Sequence, residues 1–149
     1  MTRVLRMVGI TLGLLMAPAF VWAQSACPEG RPQTGDLGIA ELNCDGGPCA
    51  IYGRDSRGLY HRLSIEPRLT GVDSRGPSAR LVRENDVLVA VDQRLVTTPE
   101  GGRRLAQLNA NQPVELWLRR NDQDVKVTVT PRAGCGFLLL TVRDEKEGG

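Results

Sequence analysis

Apolar and polar positions along the chain alternate in short stretches broken by turn residues, the pattern of a mainly β protein. Residues 37–43 carry Leu37, Ile39 and Leu42 in imperfect alternation, as a half-buried strand does. Over residues 50–66, Tyr52, Leu59, Tyr60, Leu63 and Ile65 flank Asp55-Ser56-Arg57-Gly58, which predicts two short strands around a turn. Residues 68–73 give another strand, stopped by Ser74-Arg75-Gly76-Pro77. Residues 78–82 read as a single helical turn, with Ser78 as a cap and Leu81 facing inward. Val87, Leu88, Val89 and Val91 form a nearly continuous apolar run, expected of a strand covered on both faces. Asp92-Gln93-Arg94 then turns into Leu95-Val96.

A helix is predicted over residues 99–108. Thr97 or Thr98 caps it, Pro99 opens it, and Glu100 lies near its positive end. Leu105 and Leu108, three apart, share one face. Residues 114–118 and Val125, Val127 and Val129 alternate on either side of a polar turn, as in a hairpin that Pro131 ends. Residues 136–142 form a last apolar strand before a charged, glycine-ended tail.

The first 23 residues stand apart. Arg3 and Arg6 precede an uncharged apolar run of about fifteen residues, and Val21-Trp22-Ala23 offers a small-x-small cleavage pattern. The run is short of the ~20 residues that span a bilayer, so it reads as a secretory signal rather than an anchor. The expected protein is secreted or periplasmic, with no membrane insertion after cleavage. The whole chain has 149 residues, 19 Lys+Arg and 17 Asp+Glu, and Arg3 and Arg6 account for the excess. The remainder is formally neutral, which leaves no electrostatic case for nucleic acid.

Four cysteines follow the signal: Cys27, Cys44, Cys49 and Cys135. An even number in an oxidising compartment predicts two disulfides, with three possible pairings. Cys44-Asp45-Gly46-Gly47-Pro48-Cys49 is turn-rich enough to close locally, which would leave Cys27 for Cys135. A four-cysteine zinc site is the competing reading, but paired Cys-x-x-Cys knuckles are absent and no metal or other cofactor is expected. Few aromatics are available, so Val, Leu and Ile must build the core.

Asp36-Leu37-Gly38-Ile39, Gly76-Pro77-Ser78-Ala79 before a helical turn, and Asn85-Asp86-Val87-Leu88 with Val91-Asp92 together resemble a PDZ domain. The order of elements is similar to the circularly permuted form of bacterial periplasmic proteases. The resemblance implies a partly open β-barrel or sandwich of five to six strands with two helices, stabilised by disulfides. The resemblance covers 35–131, so the expected organisation is a signal at 1–23, an arm at 24–34, a PDZ-like domain at 35–131, and a C-terminal strand with a charged tail at 132–149.

The resemblance also implies a non-catalytic module that captures C-terminal or extended peptide segments by β-strand addition. Leu37, Gly38 and Ile39 would hold a terminal carboxylate on backbone N–H groups. The strand after them would have a free edge, with the helix across a groove from it. Ile39, Glu41, Gly101, Leu105 and Leu108 would line that groove, and the expected partners are chain ends with an apolar last residue. Gly101 or Gly102 falls where some PDZ domains carry a histidine that reads a Ser/Thr hydroxyl. Three positions depart from the pattern. Asp36 puts a negative charge at the loop, Asn85 replaces a glycine in a turn that tolerates Asn, and Gln93 replaces another.

Other residues have blander readings. His61, the single histidine, is expected at the surface, and no Gly-x-Ser-x-Gly elbow accompanies it, so no catalytic residue is assigned. Arg103-Arg104 and Arg119-Arg120 read as solvated pairs, and Asp122 and Asp124 lack the ligand density of a calcium loop. The apolar segment at 137–142 is either a packing strand or a gate held across the groove edge. A scaffold subunit of an envelope assembly, or an accessory acting with a protease in trans, is the alternative function.

Overall fold

The computed structural model describes residue 27, residues 33–44 and residues 50–139. The signal-peptide expectation, Cys49 and the end of the last expected strand lie outside the described residues. In chain order the elements are β1 (Gln33–Asp36), β2 (Ile39–Asn43), β3 (Ala50–Asp55), β4 (Gly58–Leu63), β5 (Arg68–Val72), β6 (Val87–Val91), β7 (Arg94–Leu95), α1 (Pro99–Ala106), β8 (Val114–Arg120), β9 (Gln123–Val129), β10 (Arg132–Cys135) and β11 (Leu138–Leu139).

The main sheet runs β11-β2-β5-β6-β8-β9, with β7 paired to β6. Its pairs are antiparallel except for β11 on β2, which is parallel. Two further two-stranded sheets are formed by β1 with β10 and by β3 with β4. The sheets are open and none closes into a barrel. The fold is mainly β and PDZ-like, with a sandwich core of aliphatic side chains. Leu42, Leu69, Leu88, Val91, Leu116 and Leu118 are buried in one cluster, and Phe137 is the aromatic residue within it. No helix among the described residues is long and apolar enough to cross a membrane.

Hairpin turns follow local chemistry. Asn121-Asp122 between β8 and β9, and Asp92-Gln93 between β6 and β7, hold positive φ at both central positions. That is the type I′ geometry matching the twist of paired strands. Asn85 adopts φ 67° and Gln93 φ 63°, so both glycine replacements take the left-handed conformation.

Five expectations change. Among the described residues there is one helix, not two, because residues 78–82 make a single turn closed by Val82 N–H on Ser78 C=O. In that turn Val82 faces inward and Leu81 is exposed, the reverse of the expected orientation. Ser78 does not cap it: its hydroxyl donates to Leu37 C=O at 2.7 Å. The segment expected as an arm already contains a strand, since Gln33 and Thr34 belong to β1 and pair with Cys135 and Gly134. The last strand, expected over 136–142, begins only at Leu138, after Gly136 and Phe137 have joined it to β10, a strand that was not expected.

The Cys27–Cys135 disulfide is present, closing a separation of 108 residues. Cys44 is also disulfide-bonded.

Candidate functional site

The loop between β1 and β2 is built from a short sequence with strict demands. Gly38 has φ +76°, and a Cβ there would lie 2.7 Å from Gly76 Cα, so glycine is required on both counts. The loop carbonyls are tied down from behind. Leu37 C=O accepts from Ser78 N–H at 3.1 Å as well as from its hydroxyl, and Gly38 C=O accepts from Asp73 N–H at 2.8 Å. On the other side Gly38 N–H donates to Asp36 Oδ1 at 2.7 Å, an Asx-turn within the loop itself. Asp36 Oδ2 accepts from Arg132 Nε at 2.8 Å, and Arg132 Nη2 reaches Asp73 Oδ2 at 3.1 Å. The Arg75 backbone N–H and then Arg132 hold the Asp73 carboxyl below its usual range. Asp36 foremost, with Asp73, raises the Arg132 pKa. A shallow hollow of about 200 Å³ lies over Asp36, Gly38, Ile39 and Arg132.

The strand after the loop does not have a free edge. Leu138 and Leu139 of β11 pair in parallel with Glu41 and Leu42. Beyond β11 lies β3, and β4 in turn packs along α1. The chain therefore fills the space between β2 and α1 with its own strands. Ile39, Leu105 and Leu108 do converge in one cluster, but each is almost fully buried. Glu41 is half-buried, and its carboxylate accepts from Thr70 Oγ1 at 3.3 Å on the neighbouring strand.

α1 meets these strands through its two glycines. A Cβ at Gly101 would lie 1.9 Å from Leu95 C=O, so Gly101 packs on β7 and does not face the groove. A Cβ at Gly102 would lie 2.0 Å from His61 C=O, which brings the helix against the edge of β4. Gln107 extends this contact, donating from Nε2 to Arg57 C=O and Leu59 C=O at 3.1 and 2.9 Å. The helix ends at Ala106 rather than at Leu108. Two adjacent glycines in a helix cost about 1 kcal/mol each, so their presence was the sequence signal that something packs closely there.

A second concavity, about 500 Å³, opens between the β3–β4 turn and the start of α1. The Tyr60 ring lies over Gly53, with the guanidinium of Arg103 at 5.7 Å and that of Arg62 at 6.0 Å from its centre. Arg103 also grips Asp55 through both nitrogens, at 2.9 and 2.7 Å, and this holds the Asp55 carboxyl down at about 2. Thr98 caps α1 by accepting from Gly101 N–H.

His61 is not at the surface, contrary to the sequence expectation: 2% of it is exposed. It lies on the face of β4 opposite Tyr60 and Arg62, against the Tyr52 ring at 5.4 Å. Nδ1 has no hydrogen-bond partner among the described residues, and burial pushes its pKa down to about 4. The imidazole is therefore neutral at physiological pH, and His61 is among the residues that line the concavity. No cluster of metal-ligating side chains occurs among the described residues.

No protein-family model matches the chain, and no curated protein matches it. Solved structures of an HtrA-type protease do. A variant of AlgW with a tripeptide is 19% identical at a TM-score of 0.45, covering 68% of this chain and 32% of that one. The same variant with a decapeptide is 19% identical at 0.41, covering 71% and 31%. AlgW with a tripeptide is 16% identical at 0.40, covering 63% and 33%. The chain thus spans about a third of the length of these proteins.

Proposed function

We propose that this chain is a non-catalytic binding module, secreted or periplasmic, that takes an extended polypeptide segment as an added strand on β2. The observation that carries this reading is the state of that edge. Among the described residues Leu138 and Leu139 of β11 pair there with Glu41 and Leu42, and they do so in parallel. An edge filled by a parallel strand of the same chain is suited to strand exchange, because an antiparallel partner replaces its hydrogen bonds in the slightly more stable pairing. The β2–β5–β6 sheet behind it is anchored in the core, so exchange at the edge leaves the platform intact.

The permuted, periplasmic-protease type of PDZ domain is the form this reading adopts. That type implies partners with an apolar C-terminal residue. A second reading, an interior stretch of chain as partner, is favoured by the Asp36–Gly38 hydrogen bond, which already uses a loop N–H.

The test is binding of the oxidised protein to a peptide library, followed by hydrogen exchange on the hits. Binding with loss of protection at Leu138 and Leu139 supports exchange at β2. Binding with β11 still protected places the site elsewhere and rejects the proposal. Absence of any peptide ligand rejects it in favour of a scaffold role.

A further inference from the structure

A loop built to hold a ligand carboxylate must present backbone N–H groups that nothing else uses. Here the chain supplies a carboxylate of its own. Asp36 Oδ1 accepts Gly38 N–H at 2.7 Å, within the usual range for a charge-assisted bond. The other oxygen is fixed by Arg132, on a strand paired with the one that carries Asp36. The position is sterically closed as well: a Cβ at Gly134 would lie 2.8 Å from Asp36 Cβ, so β10 packs directly over this side chain.

The ion pairs around the hollow add to the same effect. Arg132 is shared between Asp36 and Asp73, so its guanidinium is already engaged by two carboxylates of the chain. A third carboxylate would find both the guanidinium and the Gly38 N–H taken. A main chain passing through, with no terminal charge, meets neither obstacle.

We propose that Asp36 is the built-in occupant of this loop and determines partner specificity: the chain accepts interior extended segments and excludes free C-terminal carboxylates. This rests on the reading of β2 as the docking edge. It differs from the sequence expectation, which assigned the loop to a partner's chain end.

Two measurements test it, both on the full oxidised chain. The first follows the Gly38 amide resonance during titration with sodium acetate, against sodium chloride of equal ionic strength. The wild type is expected not to respond, whereas Asp36→Ala responds saturably. Asp36→Asn retains a side-chain acceptor and tests charge alone if the alanine variant folds poorly. It is expected to respond to acetate more than the wild type. A saturable response in the wild type overturns the proposal, as does no response in either variant.

The second compares each library hit as free acid, C-terminal amide and a form lengthened beyond its C-terminus. Wild-type affinities are expected to agree within about twofold, and a preference of about tenfold for the free acid overturns the proposal. If no peptide binds in any form, strand addition at β2 fails, and the acetate titration still decides the role of Asp36.

Discussion

His61 makes the stability of this domain depend on pH in a range where most folded proteins change little. Its folded pKa of about 4 lies below its ordinary value of 6.5, and desolvation by burial is the cause. The unfolded chain therefore takes up the proton first. The neutral, buried imidazole contributes fully above pH 6.5, and the contribution is lost as pH falls from 6.5 towards 4. Linkage puts the loss from this residue at about 2 kcal/mol by pH 5 and about 3 kcal/mol by pH 4. The control is His61→Leu, which keeps an apolar side chain against Tyr52 and cannot titrate. Urea unfolding of both proteins from pH 8 to pH 4 gives the difference directly. The parent should lose about 2 kcal/mol more than the variant between pH 8 and pH 5. Because Nδ1 has no hydrogen-bond partner among the described residues, the variant should match or exceed the parent at pH 8. Parallel pH profiles, or an imidazole resonance titrating near 6.5, would refute the reasoning.

Three further predictions follow from close contacts. Gly102→Ala should destabilise by about 2–3 kcal/mol despite better helix propensity, because the new methyl meets His61 C=O; thermal or urea melts check it. Asp86→Ala should cost about 3–5 kcal/mol in the same assay, since a carboxylate 2% exposed accepts both Arg120 nitrogens, at 2.8 and 2.7 Å, as well as Arg83 N–H. Replacing Cys27 and Cys135 together with serine should cost up to about 4.8 kcal/mol for a closure of 108 residues, with hydrogen exchange rising first in β1, β10 and β11.

What the sequence disclosed and what it hid divide along the range of the interactions. Strands marked by apolar patterning were legible, β6 by its nearly continuous run and β8 by its alternation, as were the turns at Asp92-Gln93 and Asn121-Asp122. The Cys27–Cys135 pairing was reached through the local closure open to the other two cysteines. The β3–β4 hairpin was legible as a hairpin, but its place beside α1 was not, because that contact is made by backbone against glycine and leaves no side-chain period. His61 was misplaced for a related reason. Between Tyr60 and Arg62 it looks polar, yet it shares the inward face with Leu63. The loop residues Leu37, Gly38 and Ile39 were found at the right place, whereas the hydrogen bond from Gly38 to Asp36 depends on a φ of +76° that composition alone does not dictate.

The contacts that fill the space between β2 and α1 differ in how readily they yield. The β3–β4 hairpin, a two-stranded sheet of its own, is held in place by buried His61 and Leu63 and by the fit of Gly102 against its edge. Displacing it would expose part of the core. Among the described residues β11 is held by the pairing of Leu138 and Leu139, at about 1 kcal/mol per hydrogen bond, and by the Phe137 side chain, worth about 2–3 kcal/mol when fully buried. It is also the parallel strand of the sheet, the pairing that is slightly weaker per residue. An antiparallel partner engaging Ile39–Asn43 would replace this parallel pairing with the slightly stronger antiparallel one. Its cost depends on whether Phe137 must leave its pocket with β11. Cys135, two positions before Phe137 and tied to Cys27, fixes the base of this segment. The disulfide therefore limits exchange to the segment beyond it, and β1 and β10 stay paired while the edge of β2 changes partners.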